Sequence, residues 1–206
     1  PWRLKMSKIP ALMGGRALEH GLALLIDHGR GSGEKMHVGG QAKATVADGT
    51  SHENTVTEGS LDRLAIPANT LVAGSTLRIW ASGIVEDNNS TDTLTVLIRL
   101  GTSATVGSNE AVFTSTAVDS ADADVYALHG VIQIRTAGSS GTAVAMFSFQ
   151  DPDAAATTPA WQVKASFAVD TTSKLHLDFA ADWSVAHEDN ETNSTMFVVD
   201  IVNPST

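Results

Sequence analysis

The sequence predicts an all-β domain of antiparallel strands, preceded by an N-terminal arm that is not β. Three observations predict it. From about residue 56 onward, apolar residues recur at every second position in short runs. Clusters of Gly, Asn, Asp, Ser and Pro separate those runs. No run is followed by a long helical pattern, which disfavours a parallel α/β sheet. Roughly eight or nine strands separated by turns make a sandwich or a barrel.

Taken in order, residues 1–55 form the arm and 56–206 the β domain. In the arm Leu12, Ala17, Leu18, Leu22 and Leu25 fall near helical spacing, with Arg16, Glu19 and His20 between them. A short helix is therefore predicted around 16–27. It ends at the Gly-rich segment His28 to Gly33, and the polar stretch Asp48 to Glu53 follows. An arm so rich in Leu, Met and Gly cannot close a core alone. It suits docking on a neighbouring subunit better than a purely solvated tail does.

The β domain opens with a strand at Leu61–Ile66. Leu77, Ile79 and Ala81 then alternate with Arg78, Trp80 and Ser82, and Leu94, Val96, Ile98 and Leu100 alternate with Thr95 and Arg99. Strands follow at Ala111–Thr116, at Leu128 to Ile134 with His129 and Gln133 facing away, and at Thr142–Phe149. Val163, Ala165, Phe167 and Val169 alternate with Gln162, Lys164 and Ser166. Leu175, Leu177 and Phe179 alternate with Lys174, His176 and Asp178, and Thr195–Val202 closes the series. Turn residues lie between, as at Glu86-Asp87-Asn88-Asn89, Gly138-Ser139-Ser140-Gly141 and Asp170-Thr171-Thr172. No repeat of fixed period is present, which argues against a propeller or solenoid.

Composition narrows the function. Lys plus Arg is 13 against 23 Asp plus Glu, a formal charge of −10, which repels phosphate backbones, so no nucleic-acid partner is expected. Cysteine is absent, which excludes disulfides and thiolate metal sites. The apolar run Leu22–Ile26 is far shorter than the roughly 18–20 residues that span a bilayer, so no membrane partner is expected. Nor is a secretory leader, because Arg16, Glu19 and His20 interrupt the apolar stretch it needs.

Candidate chemistry is sparse. Gly29-Arg30-Gly31-Ser32-Gly33 lacks the Lys-Ser/Thr ending of a phosphate loop and follows no strand. The seven His show no metal-ligand spacing; His37 and His52 fall in polar linker, His129 and His176 on strand faces opposite the apolar residues. No His-Glu-x-x-His and no Gly-x-Ser-x-Gly occurs. Paired carboxylates in a sugar groove would need stacking aromatics, and aromatics are only 5% of the chain, with Trp80, Trp161 and Trp183 scattered. An enzyme is not expected, nor a cofactor. Acidic turns at Asp119-Asp122-Asp124, His187 to Glu191 and Glu86 to Asn89 read as solvated loops, with a structural calcium ion in one of them as the alternative.

One stretch has a family likeness. Ile66-Pro67-Ala68-Asn69-Thr70-Leu71, followed by Gly74 and by Leu77-Arg78-Ile79, resembles the opening of jelly-roll proteins in the virions of tailed bacteriophages. Thr93-Leu94 to Gly101, Arg135-Thr136-Ala137-Gly138 and Ala181-Asp182-Trp183-Ser184 follow in similar order, so the resemblance covers about 60–203. It implies a jelly-roll β-sandwich and a virion structural role without catalytic residues. The expected function is a capsid decoration (cement) protein on the capsid exterior. Its partners would be the major capsid protein and itself, as a homotrimer. The alternative is a head- or tail-fibre module that recognises host surface glycan. The expected contact residues are Leu12, Met13, Leu18, Leu22 and Leu25 in the arm, and Trp80, whose outward position on a strand suits a contact.

Overall fold

The computed structural model describes residues 40–45, 47–88, 91–151 and 160–204. They form an antiparallel β-sandwich of the jelly-roll kind. Its strands are β1 (Gly40–Ala44), β2 (His52–Glu53), β3 (Gly59–Ile66), β4 (Thr76–Asp87), β5 (Leu94–Gly101), β6 (Glu110–Thr114), β7 (Val125–Thr136), β8 (Gly141–Gln150), β9 (Ala160–Val169), β10 (Leu175–Trp183) and β11 (Glu191–Val202). The large sheet runs β1-β11-β4-β7-β8-β9, with β2 added at the end of β11, and the small sheet runs β3-β10-β5-β6. The consecutive pair β3 and β4 thus lies beside the consecutive pair β10 and β11, one strand of each in each sheet.

The period-two pattern builds this sandwich because alternate side chains of every strand meet between the sheets. Leu77, Ile79 and Ala81 of β4, Leu128, Ile132 and Ile134 of β7, and Leu94, Val96, Ile98 and Leu100 of β5 all enter one core. Aromatic rings tie the layers together. Phe113 of β6 lies 5.5 Å from Phe147 of β8. Tyr126 of β7 lies 6.3 Å edge-on from Phe179 of β10, which stacks at 6.0 Å on Phe197 of β11. The Tyr126 hydroxyl is buried against Thr192 Oγ1 at 2.8 Å, and burial pushes its pKa up.

The segment that opened the family likeness closes one end of the sandwich. Pro67 follows the last residue of β3, where a missing ladder donor costs nothing. Asn69 holds a left-handed φ of 60°, which Asn tolerates, and its N–H donates to Thr171 O at 2.8 Å. Leu71 is buried in the core, and Gly74 turns at φ 88° into β4.

Three sequence expectations change. The domain boundary at 55 moves, because Gly40–Ala44 pairs with Val198–Ile201 of β11 and His52–Glu53 with Thr192 and Glu191. Those residues lack the β-branched alternation that marks a strand locally; β11 supplies the pairing. His52 is accordingly buried rather than a linker residue, and its carbonyl accepts the Trp183 indole N–H at 3.3 Å. Third, β10 is covered on both faces, with His176 and Asp178 buried as well as Leu175, Leu177 and Phe179. The helix expected around 16–27 lies outside the described residues.

Burial of His52 has a consequence for acid stability. Burial lowers its pKa below the ordinary histidine value, and Nε2 has no hydrogen-bond partner among the described residues. Burial also lowers the pKa of His176, helped by nearby Arg63 and Lys174. The unfolded chain therefore binds protons that the folded chain refuses as the pH falls below about 6.5. Stability from this source is complete above that pH and is lost below it. The drop in Tm from pH 7 to pH 5 should be smaller in His52→Gln than in the parent, with the remaining slope carried in part by His176.

Candidate interaction surface

The outer faces of the two sheets differ. On the small sheet, charged groups pair with one another, although Asp178 Oδ2, Asp182 Oδ1 and His176 Nδ1 have no hydrogen-bond partner among the described residues. Arg63 Nε donates to Asp178 Oδ1 at 2.6 Å, and Ser60 Oγ donates to the same oxygen at 2.8 Å. Arg99 makes a two-pronged pair with Glu58 and donates to Asn109 O at 2.6 Å. Burial, with Glu58 adding to it, raises the Asp182 carboxyl above its ordinary value, and Arg99 opposes the shift. The turn 102–109 covers the rest, so Leu97, Val106 and Ala180 make a small apolar cluster of their own.

The large sheet carries an open apolar patch on its outside. Register aligns one transverse row as Val198, Trp80, His129, Ser148 and Trp161 on β11, β4, β7, β8 and β9. The next row is Asp200, Arg78, Val131, Met146 and Val163. Trp80 is 39% exposed, Met146 43%, Trp161 60% and Val163 67%. His129 meets the Trp161 ring edge-on at 5.7 Å, and Ser148 between them is buried. Trp80, His129, Val131, Met146 and Trp161 line a shallow depression of about 150 Å³. A second, of about 270 Å³, shares Val131 and Met146 and extends to Val144 and Val163. Three strand spacings separate the two indoles, roughly 14 Å.

Of the contact residues expected from sequence, Trp80 faces outward on this sheet, while Leu12, Met13, Leu18, Leu22 and Leu25 lie outside the described residues. Trp183, scattered with the other two in sequence, is buried in the core. Sequence reasoning missed the partnership of Trp161, Val163 and Met146 with Trp80. A bulge explains part of this. One residue, Val144, lies between Ala143 and Ala145 on β8, but two, Ala165 and Ser166, lie between Lys164 and Phe167 on β9. The extra residue reverses the facing, so Val163 and Trp161 point out while Phe167 and Val169 point in. Strict alternation placed Val163 inside.

The acidic turns are tied into the backbone. Asp122 Oδ1 accepts the Asn88 N–H at 2.8 Å, and Asp124 Oδ2 accepts that of Ala121 at 2.8 Å. Among the described residues no three His, Asp or Glu gather in an arrangement that could hold a metal ion.

No family model matches the chain, and no curated protein matches it in sequence. Among solved structures it is similar to a Lotus tetragonolobus seed lectin, at 8% identity and a TM-score of 0.39 over 70% of this chain and 80% of that one. It is similar to the lectin UEA-II complexed with galactose, at 10% identity and a TM-score of 0.39 over 80% and 91%. A third is the metal-free lectin I-B4 of Griffonia simplicifolia, at 8% identity and 0.34 over 69% and 78%. The likeness carries no functional argument.

Proposed function

We propose that this chain is a virion structural protein of the decoration type, which seats the outer face of its large sheet on a capsid shell. One observation carries the reading. Trp80, Met146, Trp161 and Val163 are exposed and the half-buried Val131 joins them into one apolar surface across four strands, bordered by Arg78 and Asp200, on a chain of formal charge −10. Surfaces of this kind mark protein contacts, and indoles in shallow depressions are frequent energetic anchors. The phage-like segment from Ile66 to Ile79 supports the virion setting. In this reading Leu12, Met13, Leu18, Leu22 and Leu25 supply a second contact, and two linked contacts raise avidity.

The test is co-sedimentation with capsid shells of the parent phage that lack this chain. Trp80→Ser should weaken binding roughly 30-fold, as for an anchor residue. Removal of residues 1–39 should lower occupancy further. Unchanged occupancy in both variants would end the decoration reading. A second reading has its own support, because two exposed indoles flanking His129 could also stack on sugar rings. Selective hits on a glycan array that disappear in Trp80→Ser, with no shell binding, would favour a fibre-type receptor head.

A further inference from the structure

The edges of the two sheets are treated differently. An edge strand presents unpaired N–H and C=O groups, and proteins ordinarily block it. On the small sheet, β6 is blocked by side chains of β9. Gln162 Oε1 accepts the Thr114 N–H at 3.0 Å and its Nε2 donates to Thr114 O at 3.1 Å, as a neighbouring strand's peptide group would. Lys164 Nζ donates to Ala111 O at 3.3 Å and pairs with Glu110 at 2.6 Å.

β9 itself is guarded only by the bulge between Lys164 and Phe167 and by that same Lys164, which leave Trp161 and Val163 exposed beside its outer edge. It pairs with β8 on one side, and among the described residues no strand pairs with the other. It is 10 residues long and contains no Pro, Asp or Glu. Its one charge, Lys164, is turned inward onto Glu110. Val163 and Trp161, at 67% and 60%, are the two most exposed large apolar residues among those described, and both stand on this strand.

We infer that β9 is a self-pairing edge: a second copy of the chain adds its own β9 antiparallel about a twofold axis, joining two large sheets into one. Charge selects a second copy as the occupant. Two chains of −10 repel over most of their surfaces, but β9 itself carries no carboxylate and the Glu110 beside it is paired with Lys164, so no unpaired acidic groups oppose there. A twofold contact needs only that one patch complement itself, and an uncharged antiparallel strand does so. The contact is small: a strand of this length runs about 33 Å, and the strip along it falls below the roughly 800 Å² per partner of a standard interface. The dimer should therefore be concentration-dependent. This inference is independent of what the sheet face binds.

Sedimentation of the full chain over a concentration series tests it. Two-chain particles should grow with concentration, and Val163→Lys should weaken association at least tenfold while leaving the melting curve in place. Trp80→Ser, in the middle of the sheet, should dimerise normally even where it loses shell binding, which separates this inference from the decoration reading. The chain has no Cys, so single cysteines report proximity. Under mild oxidation at least one of Trp161→Cys, Val163→Cys and Ala165→Cys should crosslink in pairs, and Val125→Cys, exposed on β7, should not. Single chains at every concentration, three-chain particles as the resemblance implied, or an unaltered dimer in Val163→Lys would each overturn the inference.

Discussion

Gly130→Ala should destabilise the domain by about 3 kcal/mol, the upper end for overpacking a core, and lower Tm by roughly 6–12 °C. Gly130 lies on β7 between Ile79 and Phe147 in register. The Phe147 ring leans over the space that a side chain would fill. A Cβ there would stand 2.2 Å from Phe147 Cδ1 and 2.5 Å from Met146 O. The ring can move only by giving up its place beside Phe113, and the carbonyl belongs to the backbone of β8, held between β7 and β9. Phe147→Ala alone should cost about 3–5 kcal/mol by emptying a buried site. The double variant should cost less than the sum, because the alanine at 147 removes one of the two clashes at 130. Additivity measured by thermal or urea melts would refute the coupling.

Arg63→Met should cost about 3 kcal/mol. The Asp178 side chain has no exposure, and Arg63 is its only cationic partner within salt-bridge distance among the described residues. Removing the guanidinium leaves a buried carboxylate with Ser60 Oγ alone at Oδ1, and Oδ2 has no hydrogen-bond partner among the described residues. Breaking a buried pair costs about 3–5 kcal/mol. The lower end applies because the Arg63 side chain is 30% exposed and solvent screens part of the attraction. Replacing both partners, as Arg63→Met with Asp178→Leu, should recover most of the loss, since an apolar pair of similar volume often serves as well. If the double variant is no more stable than Arg63→Met, the penalty does not come from the stranded carboxylate.

The strands legible in the sequence were those with local alternation. Leu77 to Ser82, Leu94 to Leu100 and Leu128 to Ile134 each announce their inner and outer faces, because both neighbours on a strand report the same two-sided environment. Gly40–Ala44 announces nothing, since a strand held at an edge by a partner needs little propensity of its own. His176 and Asp178 followed the polar half of the alternation and yet are buried, because what covers the outer face of β10 comes from elsewhere in the chain.

Composition and alternation by themselves determined an all-β antiparallel domain, the inward residues of β4, β5 and β7, and Trp80 as an outward residue. Tertiary structure alone decided that Trp161 stands in the same row as Trp80, because strand order puts β9 three places from β4 although 80 residues of sequence separate the two indoles. It also decided that Val163 faces solvent. A period of two carries facing along a strand only until an extra residue is inserted. Whether a bulge forms depends on the partner strand, here β8, and not on any signal within β9.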